Sequence, residues 1–181
     1  MTYKLILVSL LLLLVSPNPE DTLLWRDDLK LTWNDFKGKK DIQTDAVAVT
    51  ASGITFAYSV RKANNRIVDF KANVEAHFYP NKSWVISELA DDYILAHEQL
   101  HFDITELHVR MFRQQISQVK VSQNLDRILN GLHQNINKEL ATMQNRYDTE
   151  SNNSIDKEAQ AKWMAYVGRE LKRYEAFKSV E

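Results

Sequence analysis

Two histidines and a glutamate in the run Ile94-Leu95-Ala96-His97-Glu98-Gln99-Leu100-His101-Phe102 are the residues best placed by type and spacing to do chemistry. On a helix of ~3.6 residues per turn, positions four apart project from one face, so His97 and His101 offer two imidazoles to a single metal ion. Glu98 sits ~100° round from His97, close enough to reach a metal-associated water but poorly placed to be a ligand. The pattern is that of a zinc-dependent hydrolase, in which the metal makes water acidic and a carboxylate takes its proton. On the wet face of an amphipathic helix the same residues would do nothing. Ile94, Leu95, Leu100, Phe102, Ile104 and Leu107 argue against that plainer reading, because they set the histidines beside a buried stripe. Imidazoles and a carboxylate next to a core need a partner.

A catalytic zinc site takes three protein ligands and leaves one position for water. On the same helix Asp103 and Glu106 lie ~200° and ~140° round from His101 and point away, and His108 returns to the correct face only ~10 Å further along the axis. The third ligand must come from another element. If the following helix folds back about a pivot near Val121, His101 faces a position near residue 141 and His97 one near 145. Asp148 is then the first choice for the third ligand and Glu139 the second. Each has a bland alternative: Asp148 as a helix-end or loop cap, Glu139 as a solvated helix residue. His77 lies on the opposite alternation phase from Val74, Ala76 and Phe78, and His133 has no matching partner, so both read as surface histidines.

The elements that must position these groups follow from the rest of the chain. Ala46–Val60 alternates in part and is rich in β-branched and aromatic residues, with Gly53 as a candidate bulge. Ala63-Asn64-Asn65-Arg66 reads as a turn, and Ile67–Tyr79 alternates again, so the two segments predict an antiparallel hairpin. Upstream, Trp25, Leu29, Leu31, Trp33 and Phe36 dock the 20–40 segment on the core, and Lys37-Gly38-Lys39-Lys40 turns. A long helix is expected from about Ala90 to Val119, with Glu88, Asp91 and Asp92 at its start and Arg110, Arg113 and Lys120 suiting its C-terminal end. Asn124 or Ser122 caps a second helix reaching about Tyr147. Residues 150–156 form a loop, and a third helix begins near Lys157. Strands first and helices afterwards give an α+β domain, a small antiparallel sheet followed by the long active-site helix and two more.

The 181 residues, 44% hydrophobic and 26% charged, suit one globular domain over 20–181. With 23 basic and 24 acidic residues and no basic block, the chain has no electrostatic footprint for nucleic acid. The absence of cysteine excludes thiolate zinc sites, disulfides, iron–sulfur clusters and lipid attachment through an N-terminal cysteine. Residues 1–19 read as a signal peptide or an N-terminal anchor: Lys4, an apolar run of 11 residues from Leu5 to Val15, then Ser16-Pro17-Asn18-Pro19. The run is shorter than the ~20 residues that span a bilayer. The chain is therefore expected to be exported, periplasmic, secreted or held at the membrane only by an uncleaved leader.

Trp33-Asn34-Asp35-Phe36-Lys37-Gly38, Lys82-Ser83-Trp84-Val85, the run His97 to Glu106 and Tyr147-Asp148 together resemble the bacterial domain of unknown function 922. This uncharacterised family is described, by inference, as zinc-dependent proteases. The resemblance covers nearly all of the chain after the leader and implies a zincin-like fold and an exported protein. The family pattern has Thr-x-His-Gly or Thr-x-His-Ser after the Tyr-Asp pair, whereas this chain reads Ser151-Asn152-Asn153-Ser154, with Asn153 at the histidine position. Asparagine is a poor zinc ligand.

These readings converge on an exported zinc peptidase acting on a peptide or protein, with Zn²⁺ on His97, His101 and Asp148 and Glu98 as general base. Tyr147 is a candidate donor to the oxyanion, or a packing residue with its hydroxyl near solvent. The strand ending at Tyr79, or the piece 83–86, is a candidate edge for an extended substrate. Two rivals remain: an exported binding or structural module with a vestigial metal site, motivated by Asn153, and a helical partner-binding protein whose histidines are incidental.

Overall fold

The computed structural model describes residues 21–41 and 44–179; the leader expected over 1–19 lies outside the described residues. The architecture is α+β, with small antiparallel sheets followed by three helices. Strands β3 (Ser52–Ala63) and β4 (Arg66–Phe78) form the hairpin, and β1 (Leu23–Leu24) pairs with the far end of β4 through Leu23–Phe78 and Leu24–His77. A second, two-stranded sheet joins β2 (Ala48–Val49) to β5 (Trp84–Val85). The hairpin turn is the two residues Asn64 and Asn65, with φ of 48° and 59°. Positive φ at both is the type I′ geometry that follows the twist of the strands, and asparagine tolerates it better than most residues. The register irregularity falls between Arg61 and Lys62, and not at Gly53 as the sequence suggested. Gly53 instead pairs with His77, and a Cβ there would press on the Tyr79 ring at 3.3 Å.

Helix α1 (Asp92–Ser117) is the spine. Asp91 caps it, its carboxylate accepting from the Ile94 amide at 2.7 Å. Two core clusters enclose α1, with the helix that follows it contributing to both, which explains why so many of its polar residues are buried. On one flank Phe102, Val109, Phe112 and Ile116 meet Val74, Ala76 and Phe78 of β4, together with Trp25, Leu31 and Phe36. On the other, Leu100 and Ile104 meet Leu140 and Tyr147 of α2 (Leu125–Glu150) and Trp163 and Val167 of α3 (Lys157–Arg173). Fully buried side chains such as Phe102 and Phe112 each contribute roughly 1.5–3 kcal/mol.

Polar ties fix the ends. Trp25 donates its indole N–H to Asp103 Oδ1 at 2.8 Å, and the Leu31 amide donates to Gln99 Oε1 at 2.8 Å, so the N-terminal segment is pinned along α1 as its aromatics foretold. Gly38 is required where its amide meets the Ser83 carbonyl at 2.7 Å, since a Cβ would lie 2.8 Å from that oxygen. Arg110 and Arg113 do not serve as dipole charges at the helix end, as expected from sequence. Arg110 is buried against Glu106 at 2.8 Å and the Leu171 carbonyl at 2.7 Å, and Arg113 donates to the Val74 and Phe177 carbonyls. Asn124 occupies the N-cap position of α2, but its side chain makes no capping bond. Among the described residues no helix is long and apolar enough to cross a membrane.

Candidate metal centre

His97 and His101 lie two and three turns into α1, on the side turned toward α2. Their Nε2 atoms stand 3.3 Å apart. Asp148, near the end of α2, places Oδ1 3.2 Å from His97 Nε2 and 2.8 Å from His101 Nε2. These three atoms make a small triangle, and this is the metal-competent group found among the described residues. A tetrahedral ion with bonds of ~2.0–2.1 Å separates its ligand atoms by about 3.3 Å, so the triangle is close to one face of such a site. The donor chemistry agrees. Two ring nitrogens this close, aimed at one carboxylate oxygen, face like partial charges whether both are protonated or both bare, and a cation among the three removes the conflict.

The approach of Asp148 follows from the packing of α2 on α1. One turn before it, Gln144 donates to the Thr105 hydroxyl at 3.1 Å and toward the His101 carbonyl at 3.4 Å. Thr105 in turn bonds Ser52 at 2.7 Å and the His101 carbonyl at 3.1 Å, tying β3, α1 and α2 together just below the triad. Tyr147 lies flat against His97, ring centroids 4.5 Å apart at 27°, and meets His101 edge-on at 5.1 Å, with Trp163 of α3 behind it at 5.5 Å. Ser151 closes α2 by donating to the Tyr147 carbonyl at 2.7 Å.

The electrostatics separate two neighbours on one helix. Burial alone would raise the Asp148 carboxyl, but hydrogen bonds from His101 and His97, with their charge, hold it well below the usual carboxylate range. Tyr147 is pushed far up by burial, with Glu98, Asp148 and Tyr93 adding to it, and remains a neutral phenol. The histidine side chains are 6% and 10% exposed and that of Asp148 is 37% exposed, so Asp148 is the member of the triad most open to solvent. Glu98 is buried, its backbone carbonyl accepts from the Thr50 hydroxyl at 3.2 Å, and its charge acts on Tyr147.

Of the residues singled out from sequence, His97, His101 and Asp148 meet, while Glu139 does not. Glu139 is exposed and lines a groove of about 510 Å³ between α2 and α3 with Trp163 and Tyr166. Asp103 and Glu106 point away, bonded to Trp25 and Arg110. His108 Nδ1 donates to the Ile104 carbonyl, 2.8 Å away. Asn153 has φ of 49° and its amide donates to the Asp148 carbonyl at 2.8 Å; it braces the end of α2 and contributes no ligand to the group. Two readings need correction. His133 is not an ordinary exposed histidine but a half-buried one: it lies against Phe56 and Phe112, with Nε2 buried. The Tyr147 hydroxyl is not near solvent, since the residue is 0% exposed. His77 faces outward from the core as its phase implied, but is held between Thr22 and Thr55 at 2.9 Å each. The candidate substrate edges are each paired already on one side, Tyr79 with Ala51 and Ile86 with Val47.

Sequence reasoning missed the Gln144–Thr105–Ser52 tie and the role of α3. Gln144 stands one turn before Asp148 on the same face, a spacing that could have marked it. The fold and site thus define a class: an α+β domain presenting a histidine–histidine–aspartate group from two packed helices. The family profile described as "Bacterial protein of unknown function (DUF922)" matches residues 27–155, and the chain belongs to that family. The match spans β2 to β5 and both helices that carry the triad. No curated protein and no solved structure matches the chain.

Proposed function

We propose that this protein is an exported zinc-dependent peptidase. The observation that carries the reading is the convergence of His97 Nε2, His101 Nε2 and Asp148 Oδ1 within 3.3 Å of one another, with Glu98 next in sequence to one ligand. His97, His101 and Asp148 would hold the ion. When bound, zinc supplies a Lewis acid that makes water nucleophilic near neutral pH and polarises a carbonyl. Glu98 takes the proton as the water oxygen bonds to the scissile carbon, then returns it to the amine nitrogen as the C–N bond breaks. The neutral Tyr147 phenol stiffens both imidazoles from beneath, which keeps the ligand set in place through the reaction. The substrate is a peptide or protein reaching the triad from the open Asp148 side. A zincin-like relationship and export of the chain are part of the same proposal.

The second reading, an exported binding or structural module that keeps the metal without turnover, is favoured by Asn153, which stands where the family pattern has a histidine. One comparison separates the two. The purified protein is assayed for bound zinc and for cleavage of a broad peptide library beside Glu98→Gln. Zinc in both with cleavage lost in the variant supports the peptidase. Zinc with no cleavage by either supports the module. Asp148→Ala should weaken zinc retention by more than the 10- to 100-fold typical of an outer-shell partner, and unchanged retention would remove Asp148 from the ligand set.

A further inference from the structure

Four of the buried polar atoms on the three helices that have no hydrogen-bond partner among the described residues are Tyr93 Oη, His97 Nδ1, Tyr147 Oη and Gln160 Oε1. Two of them are complementary. His97 turns Nε2 toward Asp148 and His101, so Nδ1 is the nitrogen left to carry the proton when Nε2 faces a cation. Gln160, 0% exposed on the first turn of α3, donates its Nε2 to the Tyr93 carbonyl at 3.2 Å. Tyr93 is four residues before His97, so its carbonyl closes the helical turn from which the His97 ring projects. Gln160 therefore grips that same turn. Its amide cannot be reversed, since Oε1 would then face a carbonyl oxygen. A buried acceptor on Gln160 and a buried donor on His97 are thus left unpaired on side chains that share this turn.

The other orphans fit the donor less well. Tyr147 lies against the face of the imidazole, at 27° between planes, whereas an Nδ1–H points outward in the ring plane. The Tyr93 ring is held toward Lys157, whose ammonium stands 5.2 Å from its centroid.

We propose that Gln160 Oε1 accepts the Nδ1 proton of His97 through one bridging water, and so fixes the tautomer and ring angle that present Nε2 to the metal. Gln160 is a positioning residue. It belongs to α3, beyond the 27–155 span of the family match, so α3 gives the ligand set a part of its support that the profile does not contain. Metal-ligating histidines need such an acceptor, because the second ring hydrogen bond sets orientation and basicity. The inference rests on the metal-site reading above.

The test uses the full chain and Zn²⁺ alone, with affinity measured by competition against a chelator. Gln160→Met keeps length and removes the acceptor, and should weaken zinc by about 10- to 100-fold. Gln160→Glu keeps the acceptor but sets a second oxygen against the Tyr93 carbonyl, so it should bind zinc more tightly than Gln160→Met without fully matching wild type. Long-range ¹H–¹⁵N correlation of the zinc form should show the His97 proton on Nδ1, slow to exchange, and shifted downfield in Gln160→Glu. A merely structural role would not produce that shift, and the spectrum decides the question even if Gln160→Met fails to fold. Zinc affinity of Gln160→Met within two-fold of wild type, or an unshifted Nδ1 proton in Gln160→Glu, would overturn the proposal. Failure of the wild type itself to bind zinc would instead overturn the metal-site reading.

Discussion

Removing Arg110 should be among the most damaging substitutions in the chain, although it touches no metal ligand. Its side chain is 1% exposed and that of Glu106 is 0% exposed, and Nε donates to Glu106 Oε1 at 2.8 Å. Nη1 reaches the Leu171 carbonyl at 2.7 Å and Glu175 at 3.1 Å, and the guanidinium lies 5.1 Å from the Trp25 ring. Arg110 thus ties the far half of α1 to the end of α3. Arg110→Met leaves Glu106 buried without its cation, a loss of about 3–5 kcal/mol. At roughly 2–4 °C per kcal/mol for a chain of this size, the melting temperature should fall by about 6–20 °C. The pH dependence carries a sign. Burial raises Glu106, and Arg110 opposes that rise by hydrogen bond and charge. A carboxyl raised in the folded state contributes stability below its unfolded pKa of ~4.3 and loses it as pH climbs through the folded value. Without Arg110 the folded value climbs further, so the variant should be least destabilised near pH 4 and progressively worse toward pH 7. Arg110→Met combined with Glu106→Leu removes both charges and should recover most of the loss. Thermal melts of the three variants between pH 4 and 8 read this directly. A double variant no more stable than Arg110→Met would refute the reasoning.

Two smaller effects can be measured on the same footing. Asn65→Gly places glycine at a φ of 59° in the type I′ turn and should stabilise the hairpin by a few tenths to ~1 kcal/mol in urea unfolding, with a loss of stability counting against the turn geometry. His108 is held below its ordinary range by burial, partly offset by its bond to the Ile104 carbonyl and the charge of Glu139. A histidine lowered in the folded state costs stability as pH falls below its unfolded pKa of ~6.5, so His108→Gln should flatten the decline between pH 6.5 and 5, and parallel profiles would reject the assignment.

Much of the site was legible because helical spacing is a local property. His97, Glu98 and His101 declare their geometry within two turns, and folding α2 back on α1 was enough to bring Asp148 forward. The count went astray by three residues, placing 141 opposite His101 where the structure has Gln144. Residue counting holds no information about how far one helix slides along another; here Gln144 and the Tyr147 wedge set that slide. Nearly one turn of error kept the same face in view, which is why Asp148 survived it. The misread histidine, His133, failed for a related reason. Its environment comes from Phe56 on β3 and Phe112 on α1, distant in sequence, and nothing adjacent to it signals an aromatic slot. The arginines of α1 were misjudged because position along a helix suggests a dipole role, whereas their partners are carbonyls of β4 and α3.

The central claim is that His97, His101 and Asp148 form a zinc site, and X-ray absorption at the zinc edge on the metal-loaded protein tests it most directly. One zinc per chain is expected, with two imidazole nitrogens and oxygen donors at ~2.0–2.2 Å, the carboxylate contribution disappearing in Asp148→Ala and binding collapsing in His97→Ala. No zinc retained at micromolar free metal, or a spectrum unchanged by loss of His97 and Asp148, would contradict the account.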